Sequence, residues 1–147
     1  MKNLLLIVVA SSLVALSSGT AARAQVVDSI VADIPFAFTI KNTTMPAGEY
    51  TIKRAYALSE GVMEISSTSG HERMAFLVDT AYLNKGPNQT ELIFDRVGDQ
   101  YFLSEIFEAG DTTGVELPKS RTERKLEKEG AINQIHSVNV IVNAAMQ

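Results

Sequence analysis

Residues 91–108, with the sequence ELIFDRVGDQYFLSEIFE, decide the fold class of this chain. Apolar and polar side chains alternate in the first half of the segment, and this pattern gives a β-strand one apolar face. The dipeptide Gly98-Asp99 then favours a two-residue type II′ turn, because glycine suits the first position of that turn. We therefore predict an antiparallel hairpin centred on Gly98-Asp99.

The predicted register of this hairpin determines which side chains face each other. Counting outward from the turn pairs Arg96 with Tyr101, Phe94 with Leu103 and Leu92 with Glu105. All six side chains then share one face of the ribbon. Arg96 and Glu105 lie four residues apart along it, about 13 Å at the rise of a strand. We expect one charge at each end of an apolar patch rather than an ion pair.

The same alternation recurs along most of the chain. Strands are predicted at about 34–40, 50–53, 62–66, 74–78, 92–97, 100–108 and 138–142, with turn regions at 42–48 and 110–114. Glycine spacing is typical of an all-β sandwich or barrel. We predict one mainly antiparallel all-β domain over residues 25–147, as a sandwich or alternatively a barrel. Its core is expected to contain Phe36, Phe38, Phe76 and Phe94.

One segment near the C-terminus departs from the β pattern. Ser120 and Glu123 have the spacing of a capping box, in which each side chain accepts a hydrogen bond from a free backbone N–H. Strong helix formers follow, and Gly130 is a typical stop. We predict a short helix over about 120–129, held chiefly by Leu126 because that is its one sizeable apolar side chain.

Residues 1–24 have the three parts of a secretory signal peptide. A basic start precedes an apolar run over residues 4–16, which is shorter than the roughly 20 residues that cross a bilayer. Ala22 and Ala24 supply the small side chains that a signal peptidase requires. We expect cleavage before Gln25 and export to the periplasm or the outside of the cell. A retained membrane anchor is the alternative.

Charge limits the kinds of partner. The 147-residue chain has a net charge of −4, and loss of residues 1–24 leaves 11 basic against 17 acidic side chains, a net charge of −6. This argues against nucleic acids and anionic membranes, which attract basic surfaces. Residues 119–129 are the exception, with five basic and three acidic side chains. A basic helix there either docks on the acidic body, faces an acidic partner or is solvated, and the solvated face is our expectation.

The chain has no cysteine, so disulfides, thiolate metal ligands and a cysteine nucleophile are excluded. His71 and His136 are its two histidines. Glu72 lies beside His71, and a metal site there would need at least one more well-placed ligand, for which Asp79 or Glu64 could be proposed, but nothing in the spacing demands this. We interpret both histidines as surface residues outside the strands, and we predict neither a metal site nor a cofactor site.

Carboxylates are the remaining candidates for catalysis. Asp95 and Asp99 flank the predicted turn, and paired carboxylates hydrolyse glycosides when they lie about 5 to 9 Å apart. Aspartate is also an ordinary turn residue, and Asp95 is expected on the face opposite Arg96. Ser120 lacks a nucleophile motif around it, and its capping role explains it. We assign no catalytic residue, and a hydrolase that uses Asp95 or Glu105 is the least favoured alternative.

Four motifs follow one another along the chain: IPFxF at 34–38, PAGxY at 46–50, LxFxRxGDxYFL at 92–103 and ELPKSRxER at 116–124. Together they resemble a group of short exported bacterial proteins, numerous in soil bacteria and known mainly as uncharacterised. The resemblance implies a bacterial exported protein. It implies no activity, no cofactor and no site residue.

These patterns favour an exported, non-enzymatic β-domain that binds a protein partner or a small ligand. A structural or assembly protein of the cell envelope is the alternative. An apolar cavity with one or two inward charges would favour ligand binding. A filled core with a flat apolar outer face would favour assembly, and two carboxylates converging in a cleft would favour an enzyme.

Overall fold

The computed structural model describes residues 29–55, 61–129 and 136–141. The predicted signal peptide, its cleavage site before Gln25, the Gly130 stop and the end of the last predicted strand lie outside these residues. Within them the chain forms eleven strands and one helix. The elements are β1 Ser29–Ile34, β2 Phe38–Ile40, β3 Thr43–Met45, β4 Gly48–Arg54, β5 Val62–Ser67, β6 Arg73–Leu77, β7 Asp79–Tyr82, β8 Glu91–Val97, β9 Gln100–Phe107, β10 Thr113–Glu116, α1 Arg121–Lys128 and β11 His136–Ile141.

The strands form two sheets. The small sheet has the order β1-β4-β5-β6, and each neighbouring pair is antiparallel. The large sheet has the order β11-β8-β9-β10-β7, and β2 joins it beside β9 while pairing with β3. The described strands close neither sheet on itself. The predicted all-β sandwich with one short helix is therefore confirmed, and the alternative of a barrel is wrong.

One hydrophobic core draws side chains from both sheets. Tyr50 and Ile52 of the small sheet are fully buried in it, as are Leu92 and Phe94 of the large sheet. This burial follows the alternation in the sequence, because the side chains between those residues point away from the core.

Three of the four predicted core phenylalanines are confirmed. Phe38, Phe76 and Phe94 are almost completely buried in the core. Phe36 also packs against this core, but it is half-buried at the edge of the cluster rather than fully buried. Its ring stacks on Tyr101 at a centroid distance of 4.1 Å and meets the Phe94 ring edge-on at 5.2 Å.

The single strand predicted over residues 34–40 is two strands. β1 ends at Ile34 in the small sheet, and β2 begins at Phe38 in the large sheet. Pro35 lies at the crossing, where its lack of an N–H removes a donor that a continuous ladder would need. Ile34 and Phe38 both face the core because the core lies between the two sheets. The alternation therefore continues across the break.

Two strands lie in segments that were predicted as turns. β3 pairs with β2 across a two-residue turn at Lys41-Asn42, in which Lys41 has a φ of 57°. β10 pairs with both β7 and β9. The turn predictions for 42–48 and 110–114 are thus too long, because polar and glycine-rich composition does not prevent short strands from pairing with established neighbours.

The hairpin at the centre of the large sheet has an irregular register. Val97 pairs with Gln100 across the predicted turn, and Gly98 has the positive φ of 63° that the turn requires. The predicted pairs Arg96–Tyr101 and Phe94–Leu103 are confirmed.

The next predicted pair of that hairpin is wrong. Leu92 faces Ile106, and Glu105 faces Ile93, because a β-bulge shifts the register next to Phe94. Ser104 is the extra residue between Leu103 and Glu105. The bulge lets Leu103 and Ile106 both enter the core although they are three residues apart.

Helix α1 confirms the capping-box prediction. The Ser120 hydroxyl accepts a hydrogen bond from the Glu123 N–H at 3.0 Å, and a Glu123 carboxylate oxygen accepts one from the Ser120 N–H at 3.1 Å. The side chain that anchors the helix is not the predicted Leu126. Leu126 is half-buried, whereas Glu123 is only 5% exposed. The cap, rather than an apolar side chain, is the most buried part of the helix.

Candidate functional site

A cleft of about 580 Å³ opens on the outer face of the large sheet, the face turned away from the core. Strands β8, β9, β10 and β11 form its floor, and the segment 117–119 forms one side. We call this the acidic cleft, after the carboxylates of Asp95, Glu105 and Glu116 in its lining.

A row of cross-strand neighbours forms the floor of the acidic cleft. Asn139 pairs with Ile93, Ile93 pairs with Glu105, and Glu105 pairs with Glu116. Side chains directly opposite each other in neighbouring strands lie within interaction range, and like charges in such positions are destabilising. The fold therefore holds two carboxylates side by side at this point.

The β-bulge at Ser104 creates this arrangement. If Ser104 instead paired with Ile93 in a regular ladder, Glu105 would oppose Leu92 and point into the apolar core, where an unpaired carboxylate is costly. Because Ser104 is left unpaired in the bulge, Glu105 points to the outer face. The Ser104 carbonyl also accepts a hydrogen bond from the Leu117 N–H at 2.8 Å, which fixes the segment that borders the cleft. The β-bulge thus positions both the Glu105 carboxylate and the segment 117–119 that borders the cleft.

Glu105 is half-buried in the acidic cleft, and this environment changes the pKa of its carboxyl group. Burial raises the pKa of the Glu105 carboxyl, and the nearby charges of Asp95 and Glu116 raise it further. The cleft thus disfavours the ionised form of Glu105. An opposite charge entering the cleft would reverse this effect.

Lys119 is the cation that borders the acidic cleft, and it is already paired. Its ammonium donates a hydrogen bond to the Glu127 carboxylate of α1. That hydrogen bond is the main reason that the pKa of Lys119 is raised, and the charges of Glu127, Glu123 and Asp95 add to it. The lining therefore holds three carboxylates and one ammonium group that is committed to the helix.

Arg96 and Glu105, expected on one face, lie on opposite faces. Arg96 is exposed, its Nε donates to the Gly98 carbonyl at 2.9 Å, and its guanidinium lies 5.7 Å from the centre of the Tyr101 ring. Asp99 is fully exposed and lies 3.6 Å from the Arg96 guanidinium. Asp95 projects opposite Arg96 as predicted, and this places it in the acidic cleft without Asp99.

The residues considered for a metal site are dispersed. His71 is exposed in a turn, as predicted. Glu64 forms ion pairs with Lys53 at 3.5 Å and Arg73 at 2.8 Å, and Asp79 is exposed. Within the described parts of the chain, no group of three or more histidine and carboxylate side chains is arranged to hold a metal ion.

His136 was expected in a loop before the last strand, and this is wrong. It is the first residue of β11 and pairs with Arg96 of β8.

Comparisons with protein-family models, with curated proteins and with solved structures found no match for this chain. Among the helices of the described residues, none is both long enough and apolar enough to cross a membrane.

Two residues that line the cleft, Glu116 and Asn139, are not predicted as site residues by the sequence pattern. The predicted face of Glu105 is also wrong. One signal was present in the sequence: Leu103 and Ile106 are both large and apolar, and their spacing of three breaks the period of two. Such a break between two strand-like halves indicates a bulge.

Proposed function

We propose that the protein is exported and acts outside the cytoplasm as a non-enzymatic binding domain. Its binding site is the acidic cleft, and its partner presents a cationic group there. The observation that carries this proposal is the outward turn of Glu105 at the bulge, next to Glu116 and within range of Asp95.

Electrostatics supports a cationic partner. Glu105 and Glu116 face each other without a described ion-pair partner, and the neighbouring Lys119 is bound to Glu127. A bound cation would relieve the repulsion between the two carboxylates. Ile93 and Leu117 add half-buried apolar surface beside them, so an amine or guanidinium on an aliphatic stem fits the lining.

Titration with spermine as a cationic probe tests the binding site. We expect saturable NMR shifts for the backbone amides of Ile93, Glu105 and Asn139. The double variant Glu105→Gln/Glu116→Gln should bind at least about tenfold more weakly. Absence of saturable shifts at these amides, or equal affinity in the double variant, would contradict the proposal.

A matched control is available in the small sheet. Asp33 and Glu49 also face each other across neighbouring strands, and both are exposed outside the acidic cleft. The variant Asp33→Asn/Glu49→Gln removes the same charge as the cleft variant. We expect it to bind spermine like the wild type, because its effect on the cleft is limited to screened long-range charge.

Export rests on the basic start, the short apolar run and the Ala22-x-Ala24 site. N-terminal sequencing of the protein from the exported fraction tests it. We expect a chain that starts at Gln25, and a chain that keeps Met1 would refute cleavage.

A carboxylate-dependent hydrolase is the second candidate, because Asp95 and Glu105 line the same cleft. The raised pKa of Glu105 would suit a general acid, with Asp95 as the second carboxylate of the pair. The open position on an outer sheet face favours binding instead, since electrostatic stabilisation of a transition state is weak where bulk solvent surrounds the reacting groups. Glycosidase activity that is present in the wild type and lost in Glu105→Gln would favour the hydrolase.

A further inference from the structure

Helix α1 presents a basic surface to solvent. Arg121, Arg124, Lys125 and Lys128 are three or four residues apart, so they lie along one face of the helix, and all four are exposed. We call this surface the basic stripe. Of these four, Lys125 is the one with an ion pair among the described residues, to Glu129 at 3.7 Å. Both side chains of that pair are exposed, so it neutralises the stripe weakly.

The opposite side of α1 packs on the protein. Glu123 is buried, and Leu126 and Glu127 are half-buried. The helix thus docks on the body through its cap and its acidic side chains. Its basic side chains point outward and remain available for a partner.

The basic stripe and the acidic cleft are neighbours. Lys119 borders the cleft, and Ser120 directly after it caps α1. The helix packs against β8, which also carries Asp95 of the cleft. An eight-residue helix is about 12 Å long, so both charged surfaces fit within one small contact area.

This juxtaposition restricts the partner. A uniform polyanion would be attracted to the basic stripe but repelled by the acidic cleft beside it. It would also be repelled by the rest of the chain, which carries a net charge of −8 outside residues 119–129 once residues 1–24 are removed. A suitable partner is acidic opposite the stripe and basic opposite the cleft. A second copy of this chain, turned by a two-fold axis, presents both surfaces at the required spacing.

We infer that the protein forms a two-fold symmetric dimer in which the basic stripe of each copy lies on the acidic cleft of the other. The inference rests on the proposed function, because it names the occupant of the same cleft. The dimer is inferred from charge complementarity, because each dimer contains two identical contacts between a basic stripe and an acidic cleft.

Charge reversal and sedimentation velocity test the dimer. The stripe variant is Arg121→Glu/Arg124→Glu/Lys125→Glu, which changes the four exposed stripe side chains from a net charge of +4 to −2. The cleft variant is Glu105→Lys/Glu116→Lys. The control is Asp33→Lys/Glu49→Lys, which makes the same change at the exposed pair of the small sheet. Circular dichroism identifies any variant that fails to fold.

The dimer predicts a specific pattern at about 50 mM salt, where charges are weakly screened. The wild type and the control dimerise. Each reversed variant alone dimerises at least about tenfold more weakly, because it faces like charge in both contacts. An equimolar mixture of the two variants re-forms a dimer, because both contacts are attractive in the mixed pair. About 500 mM salt should dissociate the dimers.

Three results would overturn the inference: a wild type that stays monomeric at low salt, reversed variants that still dimerise, or a mixture that does not re-associate. The spermine titration separates this failure from failure of the proposed function. Cleft-dependent spermine binding by a monomeric wild type would leave the acidic cleft as a binding site for another cationic partner. A wild type that neither dimerises nor binds spermine at the acidic cleft would refute the proposed function as well.

Discussion

Glu105 carries an electrostatic cost in the folded protein. Burial, followed by the charges of Asp95 and Glu116, raises its pKa above the ordinary value of 4.5. A carboxyl with a raised pKa in the folded state binds its proton more tightly there than in the unfolded state. Its contribution to stability is fully present below the unfolded pKa and is lost as the pH rises through the folded pKa.

Replacement of Glu105 by glutamine should remove this loss. We expect Glu105→Gln to raise the free energy of unfolding at pH 7 by up to about 1 kcal/mol, the scale of a like-charge cross-strand contact. It should also flatten the fall in stability above about pH 4.5. Urea unfolding as a function of pH measures both effects, with Asp33→Asn as the exposed control. A Glu105→Gln protein that is less stable than the wild type at pH 7 would contradict this reading.

Depth in the core separates Phe36 from Phe38. Phe38 is 1% exposed and contacts Tyr50 and Phe94 edge-on, so Phe38→Ala should cost about 3–5 kcal/mol. Phe36 is half-buried, so Phe36→Ala should cost clearly less while still removing the stack on Tyr101. Thermal and urea unfolding of both variants rank them. Equal losses would show that Phe36 lies deeper than the structure places it.

Helix α1 depends on its N-terminal cap. A helix of eight residues is marginal by itself in water, and Ser120 and Glu123 satisfy two of its free N–H groups. Ser120→Ala should therefore cost about 1 kcal/mol and increase hydrogen exchange in α1. Exchange in β8 and β9 should not change. Collapse of the whole domain on this substitution would show that α1 is an integral part of the core.

The β-bulge is the second element with a testable role. Deletion of Ser104 would restore a regular ladder that keeps Leu103 opposite Phe94, Glu105 opposite Ile93 and Ile106 opposite Leu92. We therefore expect the shortened protein to fold with Glu105 still on the outer face. Its free energy of unfolding in urea should fall by about 1 kcal/mol, because the Ser104 carbonyl that accepts a hydrogen bond from the Leu117 N–H is removed. Failure of the shortened protein to fold would show that the pairing on the two sides of the bulge is not the one described.

An element can be predicted from the sequence when the residues that form it are close together along the chain, and it is missed when distant residues form it. Helix α1 was predicted to within a residue at its start because its cap is encoded in four consecutive residues. The hairpin turn was predicted for the same reason, because its signal is the adjacent pair Gly98-Asp99. The bulge was missed, because a period of two was extended through Leu103 and Ile106 where tertiary packing favoured a break. Strands β3 and β10 were missed because their pairing partners are supplied by the rest of the sheet.

The sequence pattern predicted an all-β sandwich but did not assign strands to sheets. The crossing at Pro35 keeps the alternation intact while it moves the chain from one sheet to the other. The acidic cleft also could not be predicted from the sequence. Glu105 and Glu116 meet through β9–β10 pairing, and Asn139 joins them through β11, so the site exists only once distant strands are paired.

The pKa of Glu105, measured by carbon NMR of its side-chain carboxyl, is the direct test of the acidic cleft. If Glu105 is half-buried in one cleft with Asp95 and Glu116, its pKa lies above 4.5 in the wild type. It should fall towards that value in Asp95→Asn/Glu116→Gln, and it should fall when spermine binds. A wild-type Glu105 that titrates at or below 4.5, with no response to the double substitution, would contradict the acidic cleft and the function proposed for it.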